Sequence, residues 1–167
     1  FHKRSRAAVG KNSEEFDYLR KHVASILVDR IEDISREFPL ALDLGSHAGH
    51  IYNLVSEKDS LGENGGGIGG IQTLVQYEMS KESLLRAQLE AVSFDMDRRR
   101  RVKVHYIEAD EEKLSEHFEP ATFDMVLSNL SLHWVNDLPS TLKQIKSILK
   151  VRTNQPYKFF SQFRSCS

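Results

Sequence analysis

Between Pro39 and Gly45 the chain runs Leu40-Ala41-Leu42-Asp43-Leu44, almost wholly apolar and without the alternation of a half-exposed strand. A run of this kind is buried on both faces, which is the habit of a parallel sheet. That choice constrains the rest of the chain, because parallel strands need long crossover connections, usually helical. The next residues, Gly45-Ser46-His47-Ala48-Gly49-His50-Ile51, bracket a tight turn with two glycines and lead into a helix-like pattern from Gly49 to about Glu57. Strand, glycine turn and helix in that order make the βα unit that cradles a nucleotide-like cofactor. Where a third glycine would stand between the two, the chain has His47.

The remaining periodicities fit the same architecture. Phe16, Leu19, Val23, Ile26, Leu27 and Ile34 predict a helix from about Ser13 to Ile34, stopped by Phe38-Pro39. Ile71 to Tyr77 predicts a second apolar strand, Lys81 to Val92 a helix, and Val102 to Ile107 a third strand. Thr122 to Ser128 predicts a fourth strand. Leu138 to Leu149 predicts a closing helix with Leu142, Ile145, Ile148 and Leu149 on one face. Strands alternating with helices argue for a partial doubly wound, Rossmann-like α/β sheet that is mostly parallel. The domain is expected over 13–150, between a basic tail at 1–12 and a divergent tail at 151–167. Within it, the glycine-rich 57–70 reads as a flexible surface loop: polyglycine holds neither helix nor strand, and the Gly-Lys-Ser/Thr of a phosphate loop is missing.

Composition narrows the class. A net charge of -1 creates no global field toward nucleic acid, and Arg98-Arg99-Arg100-Arg101 reads as a solvated loop. No apolar run approaches the roughly 20 residues of a membrane helix. Cys166 is the only cysteine, which excludes an intrachain disulfide and a cysteine metal cluster; a reducing compartment fits. His47 and His50 lie three apart, but no third ligand follows at a convincing spacing, so no metal is expected. Starting at Phe1 implies a processed form, a fragment or an incomplete gene model. The acid-free His2-Lys3-Arg4-Ser5-Arg6 fits either the tail of an organelle-targeting segment or a solvated start.

Ligands of open α/β sheets bind outside the carboxyl ends of the strands. Residues with suitable chemistry sit at each such end. Asp43, Gly45, Ser46 and Gly49 follow the first strand, Glu78 and Met79 the second, Asp110 and Glu111 the third, and Ser128, Asn129 and Leu130 the fourth. Gly45 allows close backbone approach, a helix N-terminus from Gly49 suits an anionic group, and an acid at Glu78 can accept ribose hydroxyls. His133 and Trp134 lie in the loop beyond the fourth strand, where substrate contacts are common. Ser131, His133 and Asp137 are too close in sequence for a catalytic triad. No general base or nucleophile stands out, so the catalytic residues are unknown and an enzyme and a binding module both stay open.

From Leu40-Ala41-Leu42-Asp43-Leu44-Gly45 through Glu78 and Ala109-Asp110 to Phe123-Asp124-Met125-Val126-Leu127-Ser128, the chain resembles a class I S-adenosylmethionine-dependent methyltransferase domain. Three runs narrow the resemblance to the mitochondrial complex I assembly factor, or arginine-hydroxylase, family. They are Phe16-Asp17-Tyr18-Leu19-Arg20, Phe38-Pro39-Leu40-Ala41-Leu42-Asp43-Leu44-Gly45, and Ser128-Asn129-Leu130-Ser131-Leu132-His133-Trp134-Val135-Asn136-Asp137-Leu138-Pro139. The resemblance covers about Phe16 to Lys150.

It implies S-adenosyl-L-methionine as cofactor, with Asp43, Gly45 and Gly49 at its methionine end and Glu78 at its ribose, and Ser46 and Met79 among the residues that bind it. Asp110 and Glu111 would flank the adenine, and Asn129 and Leu130 would lie beside the sulfonium. It also implies a protein substrate, an iron–sulfur subunit of respiratory complex I carrying the arginine to be hydroxylated, on the matrix side of the mitochondrial inner membrane. A related bacterial branch methylates a malonyl thioester, so a small-molecule or carrier-linked acid is the alternative substrate.

Two departures set expectations. A side chain at His47 would crowd the cofactor or swing outward, weakening affinity unless it bonds the cofactor's carboxylate. After Lys150 the family's next strand is replaced by Val151-Arg152-Thr153-Asn154-Gln155-Pro156-Tyr157-Lys158-Phe159-Phe160, so the fold is expected to lack its C-terminal strands. The fourth strand would then be an open edge unless the tail pairs with it. An inactive truncated isoform acting only as a binding module is the third reading.

Overall fold

A computed structural model describes residues 17–57, 66–95, 102–151 and 159–161. In chain order the elements are α1 (Asp17–Glu32), β1 (Leu40–Leu44), α2 (His50–Glu57), β2 (Thr73–Glu78), α3 (Lys81–Asp95), β3 (Lys103–Glu108), α4 (Leu114–His117), β4 (Met125–Ser128), α5 (Leu138–Ile148) and β5 (Phe159–Ser161). Single 3₁₀ turns lie at Ile68–Gly70 and Leu132–Trp134. The sheet order is β3-β2-β1-β4-β5 and every pairing is parallel. The chain therefore winds outward from β1 in both directions, and the switch point lies between β1 and β4. This is the doubly wound architecture that the apolar strands predict.

Side chains of successive strand residues point to opposite faces, and the chain fills both. Ala41, Leu74, Met125 and Leu127 meet Val23, Leu27 and Ile31 of α1 and Ile51 and Val55 of α2 on one face. Leu42, Leu44, Val75, Tyr77 and Val126 meet Leu114 of α4 and Ile145 and Ile148 of α5 on the other. Asp43 and Gln76, paired in register, share the first face and carry polar groups into it.

The predicted elements recur with shifted ends, and two points matter. First, the tail contributes to the sheet: Phe159–Ser161 pairs with Val126–Ser128, so β4 is not an open edge at those residues. Second, part of the glycine-rich stretch is packed against the core. Residues 58–65 lie outside the described residues, as do Arg98–Arg101 and the basic start, but 66–70 are packed. Gly67 and Gly70 pin the 3₁₀ turn under Phe38, whose N–H donates to the Gly69 carbonyl at 2.8 Å. A methyl group built on Gly67 would come within 2.6 Å of both Val102 Cγ2 and the Val55 carbonyl oxygen. Here glycine is chosen for closeness of packing. Overpacking costs about 1–3 kcal/mol, so Gly67→Ala should lower the melting temperature by on the order of 5 °C. An unchanged thermal melt would contradict this packing.

Candidate functional site

The site is built at the carboxyl ends of β1, β2 and β4. Leaving β1, the chain turns under β2: Gly45 N–H donates to the Tyr77 carbonyl at 2.7 Å. Gly45, His47 and Gly49 all take positive φ, at 69°, 51° and 78°. That conformation suits glycine and strains an ordinary side chain by about 1–2 kcal/mol. Gly49 has a further reason to be glycine. A Cβ there would meet the Gln76 amide at 2.9 Å and Ala87 at 3.2 Å. The turn thus presses against β2 and α3 while α2 starts above it.

Asp43, one residue before the end of β1, is wholly buried. Burial first, and the Glu78 charge second, push its carboxyl up from 3.8 to about 8. Both its oxygens, the Ser46 hydroxyl and Asn129 Oδ1 are buried without a hydrogen-bond partner among the described residues. Buried polar atoms are nearly always satisfied, so groups from a bound molecule would complete these; the Gln76 amide and the His50 ring are in the same condition. Glu78 is differently placed: its Oε2 accepts the His47 N–H at 3.0 Å and its Oε1 the Ser80 N–H at 3.0 Å. Met79 beside it is half-buried.

Of the other predicted residues, Asp110 and Glu111 stand at the end of β3, reached through Tyr77. The Tyr77 hydroxyl donates to the Asp110 carbonyl at 3.0 Å, and burial pushes that hydroxyl's pKa up. Glu111 is buried, and Asp110 Oδ1 accepts the Glu112 N–H. Leu130 takes positive φ, 53°, turning the chain away from the sheet after Asn129. His133 and Trp134 are exposed neighbours with ring centroids 5.0 Å apart. Ser131 is a structural hydroxyl: its Oγ donates to the Leu44 carbonyl at 2.8 Å and contacts Ser128 Oγ at 2.8 Å.

Sequence reasoning passed over two groups. Glu112 holds the loop that carries Trp134, accepting from Asn136 N and Nδ2, both at 2.8 Å, and from Asp137 N. These bonds, the Asn136 N–H foremost, hold its carboxyl below the usual range. Asp17 ties α1 to α3 through Arg86 at 2.6 Å, with Arg20 of its own helix at 3.1 Å and the His50 ring 3.5 Å away. Burial alone would raise the Asp17 pKa, but the Arg86 hydrogen bond and charge reverse it and the pKa falls. The Arg20 carbonyl in turn accepts Asn129 Nδ2 at 3.0 Å, tying α1 to the end of β4. Glu112 belongs to no short motif and Asp17 lies in the Phe16–Arg20 run without a role assigned to it; their long-range partners reveal what each does.

No three of the metal-ligating residue types come together among the described residues. Nor is any described helix long and apolar enough to cross a membrane.

Comparison with known proteins places the family and the fold. Residues 42–152 match the methyltransferase domain family. The chain is similar to the arginine-hydroxylase NDUFAF5, mitochondrial, of Homo sapiens, at 39% identity over 139 residues, covering 81% of this chain and 33% of that protein. The Danio rerio protein of the same name is 37% identical over 142 residues, covering 83% of this chain and 36% of it. The chain thus spans about a third of the length of the curated relatives it matches. Among solved structures, an Aquifex aeolicus SAM-dependent methyltransferase superposes with a TM-score of 0.55 at 14% identity, over 92% of this chain and 72% of that one.

Proposed function

This chain belongs to the methyltransferase domain family, and from that premise we propose that it binds S-adenosyl-L-methionine at the ends of β1, β2 and β4. The observation that carries the proposal is the set of unpaired, buried acceptors on Asp43, Ser46 and Asn129. A protonated amine is a donor such acceptors lack, and the cofactor's methionine end carries one. The residues present fit the group at its methionine end.

In this reading Asp43, Gly45, Ser46 and Gly49 hold the methionine portion. Glu78 takes the ribose with Met79 against it, Asp110 and Glu111 flank the adenine, and Asn129 and Leu130 lie beside the sulfonium. When bound, the cofactor supplies an electrophilic methyl group. The chain's own share is alignment and exclusion of water, which can by themselves carry several orders of magnitude in rate. His133 and Trp134, on the loop that Glu112 fixes, face the substrate.

The similarity to proteins named as mitochondrial arginine hydroxylases supports a finer reading. We infer a mitochondrial protein of the complex I assembly type, acting at the matrix side of the inner membrane on an arginine of a protein subunit. Methylation of a carrier-linked acid is the rival activity.

Calorimetric titration with S-adenosylhomocysteine tests the cofactor reading. Saturable heat and a thermal shift are expected. Neither heat nor shift at millimolar ligand would refute it.

A further inference from the structure

We infer that His47 is the residue that sets cofactor occupancy: its imidazole closes the site from within and must swing out before the ribose and sulfonium portion can enter. This rests on the cofactor reading above.

The geometry is specific. His47 departs from the glycine expected in the turn, and its ring lies inward, with only 9% of the side chain exposed. Its Nε2 is 3.1 Å from the Asn129 carbonyl oxygen. A carbonyl only accepts, so Nε2 carries the hydrogen and donates. Its Nδ1 stands 3.9 Å from Glu78 Oε2, the same oxygen that accepts the His47 N–H.

One side chain therefore spans from the end of β2 to the end of β4, across the end of β1. Any ligand that touches both Glu78 and Asn129 must cross the same space. The residue also sits at φ 51°, where a side chain is strained. The ring's hydrogen bond and burial offset that strain, so the inward pose is a stable competitor of the ligand.

Competition of this kind divides affinity by the fraction of molecules with the site open. Releasing one buried hydrogen bond and an aromatic ring leaves a small open fraction. His47→Gly should therefore bind S-adenosylhomocysteine at least about 10-fold tighter than the parent chain. Glycine accepts the backbone conformation without strain, so the variant should fold. His47→Ala removes the ring but keeps the strained φ, and should also bind tighter than the parent.

The test is calorimetric titration of the parent and both variants with S-adenosylhomocysteine, with imidazole NMR of the parent alongside. Tighter binding by both variants is expected. So is a protected Nε2–H signal in the free parent that disappears on saturation. Equal affinities, or weaker binding by the variants, would overturn the latch and leave the cofactor reading standing. So would an Nε2–H signal that persists at saturation. Binding by none of the three would overturn the cofactor reading itself, and the latch with it.

Discussion

Tyr77→Ala should destabilise the chain by roughly 3–5 kcal/mol, lowering the melting temperature by on the order of 10 °C. Tyr77 is wholly buried and is among the largest such side chains. Its ring meets Phe118 at 5.6 Å between centroids and His117 at 5.7 Å, fastening α4 to the sheet. Phe118 in turn stands edge-on to Phe123 at 4.8 Å. Removing Tyr77 thus empties the junction of β2, α4 and the entry to β4. The loss should also reach the site, because its hydroxyl carries the Asp110 carbonyl. Tyr77→Phe separates the two effects: it keeps the ring and gives up one hydrogen bond, costing about 1 kcal/mol. Chemical denaturation of both variants measures the difference. Equal losses would contradict the packing account.

Asp43→Asn should change how stability depends on pH. The parent carboxyl titrates near pH 8 when folded and near 3.8 when unfolded. Between these values the folded state holds a proton that the unfolded state has lost, so stability falls as pH rises. The slope within that window is up to about 1.4 kcal/mol per pH unit. Asparagine has nothing to ionise, so the variant should be the more stable of the two above pH 8 and should lose this slope. His50 gives the opposite slope on the acid side. Burial above all, with Lys21, Arg20 and Arg86 adding and Asp17 opposing, lowers its pKa from 6.5 to about 4. Across that span the unfolded state binds the extra proton, and stability falls as pH drops.

The same substitution should weaken cofactor binding by 10-fold or more, since a hydrogen bond to a charged group contributes about 1.5–3 kcal/mol. Binding a cation beside Asp43 favours its ionised form, so the parent should release a proton on binding near pH 7. Calorimetry in buffers of different ionisation heat reads that proton. A variant that binds as tightly as the parent, or binding without proton release, would contradict this role.

Local pattern made the strands readable. Leu40 to Leu44 is apolar but for Asp43 because it is covered on both faces, which is the habit of a strand inside a parallel sheet. The acids and amides at strand ends were legible for the same reason: topology sends every such end to one side.

What escaped was set by partners distant in sequence. The pose of His47 depends on Glu78 and on a carbonyl 82 residues away. The close packing of Gly67 depends on Val55 and Val102, which no glycine count reveals. Glu112 looks like one more surface acid until the backbone of Asn136 is found against it. The fifth strand lies in a tail whose residues carry no family pattern, and only pairing with β4 identifies it.

The central claim is that one site, at the ends of β1, β2 and β4, takes S-adenosyl-L-methionine. Its most direct test is an amide proton–nitrogen correlation spectrum recorded during titration with S-adenosylhomocysteine. The largest shifts should fall on Gly45 to Gly49, Glu78 to Ser80, and Asn129 and Leu130. Shifts clustered on any other surface, or none at saturating ligand, would contradict it.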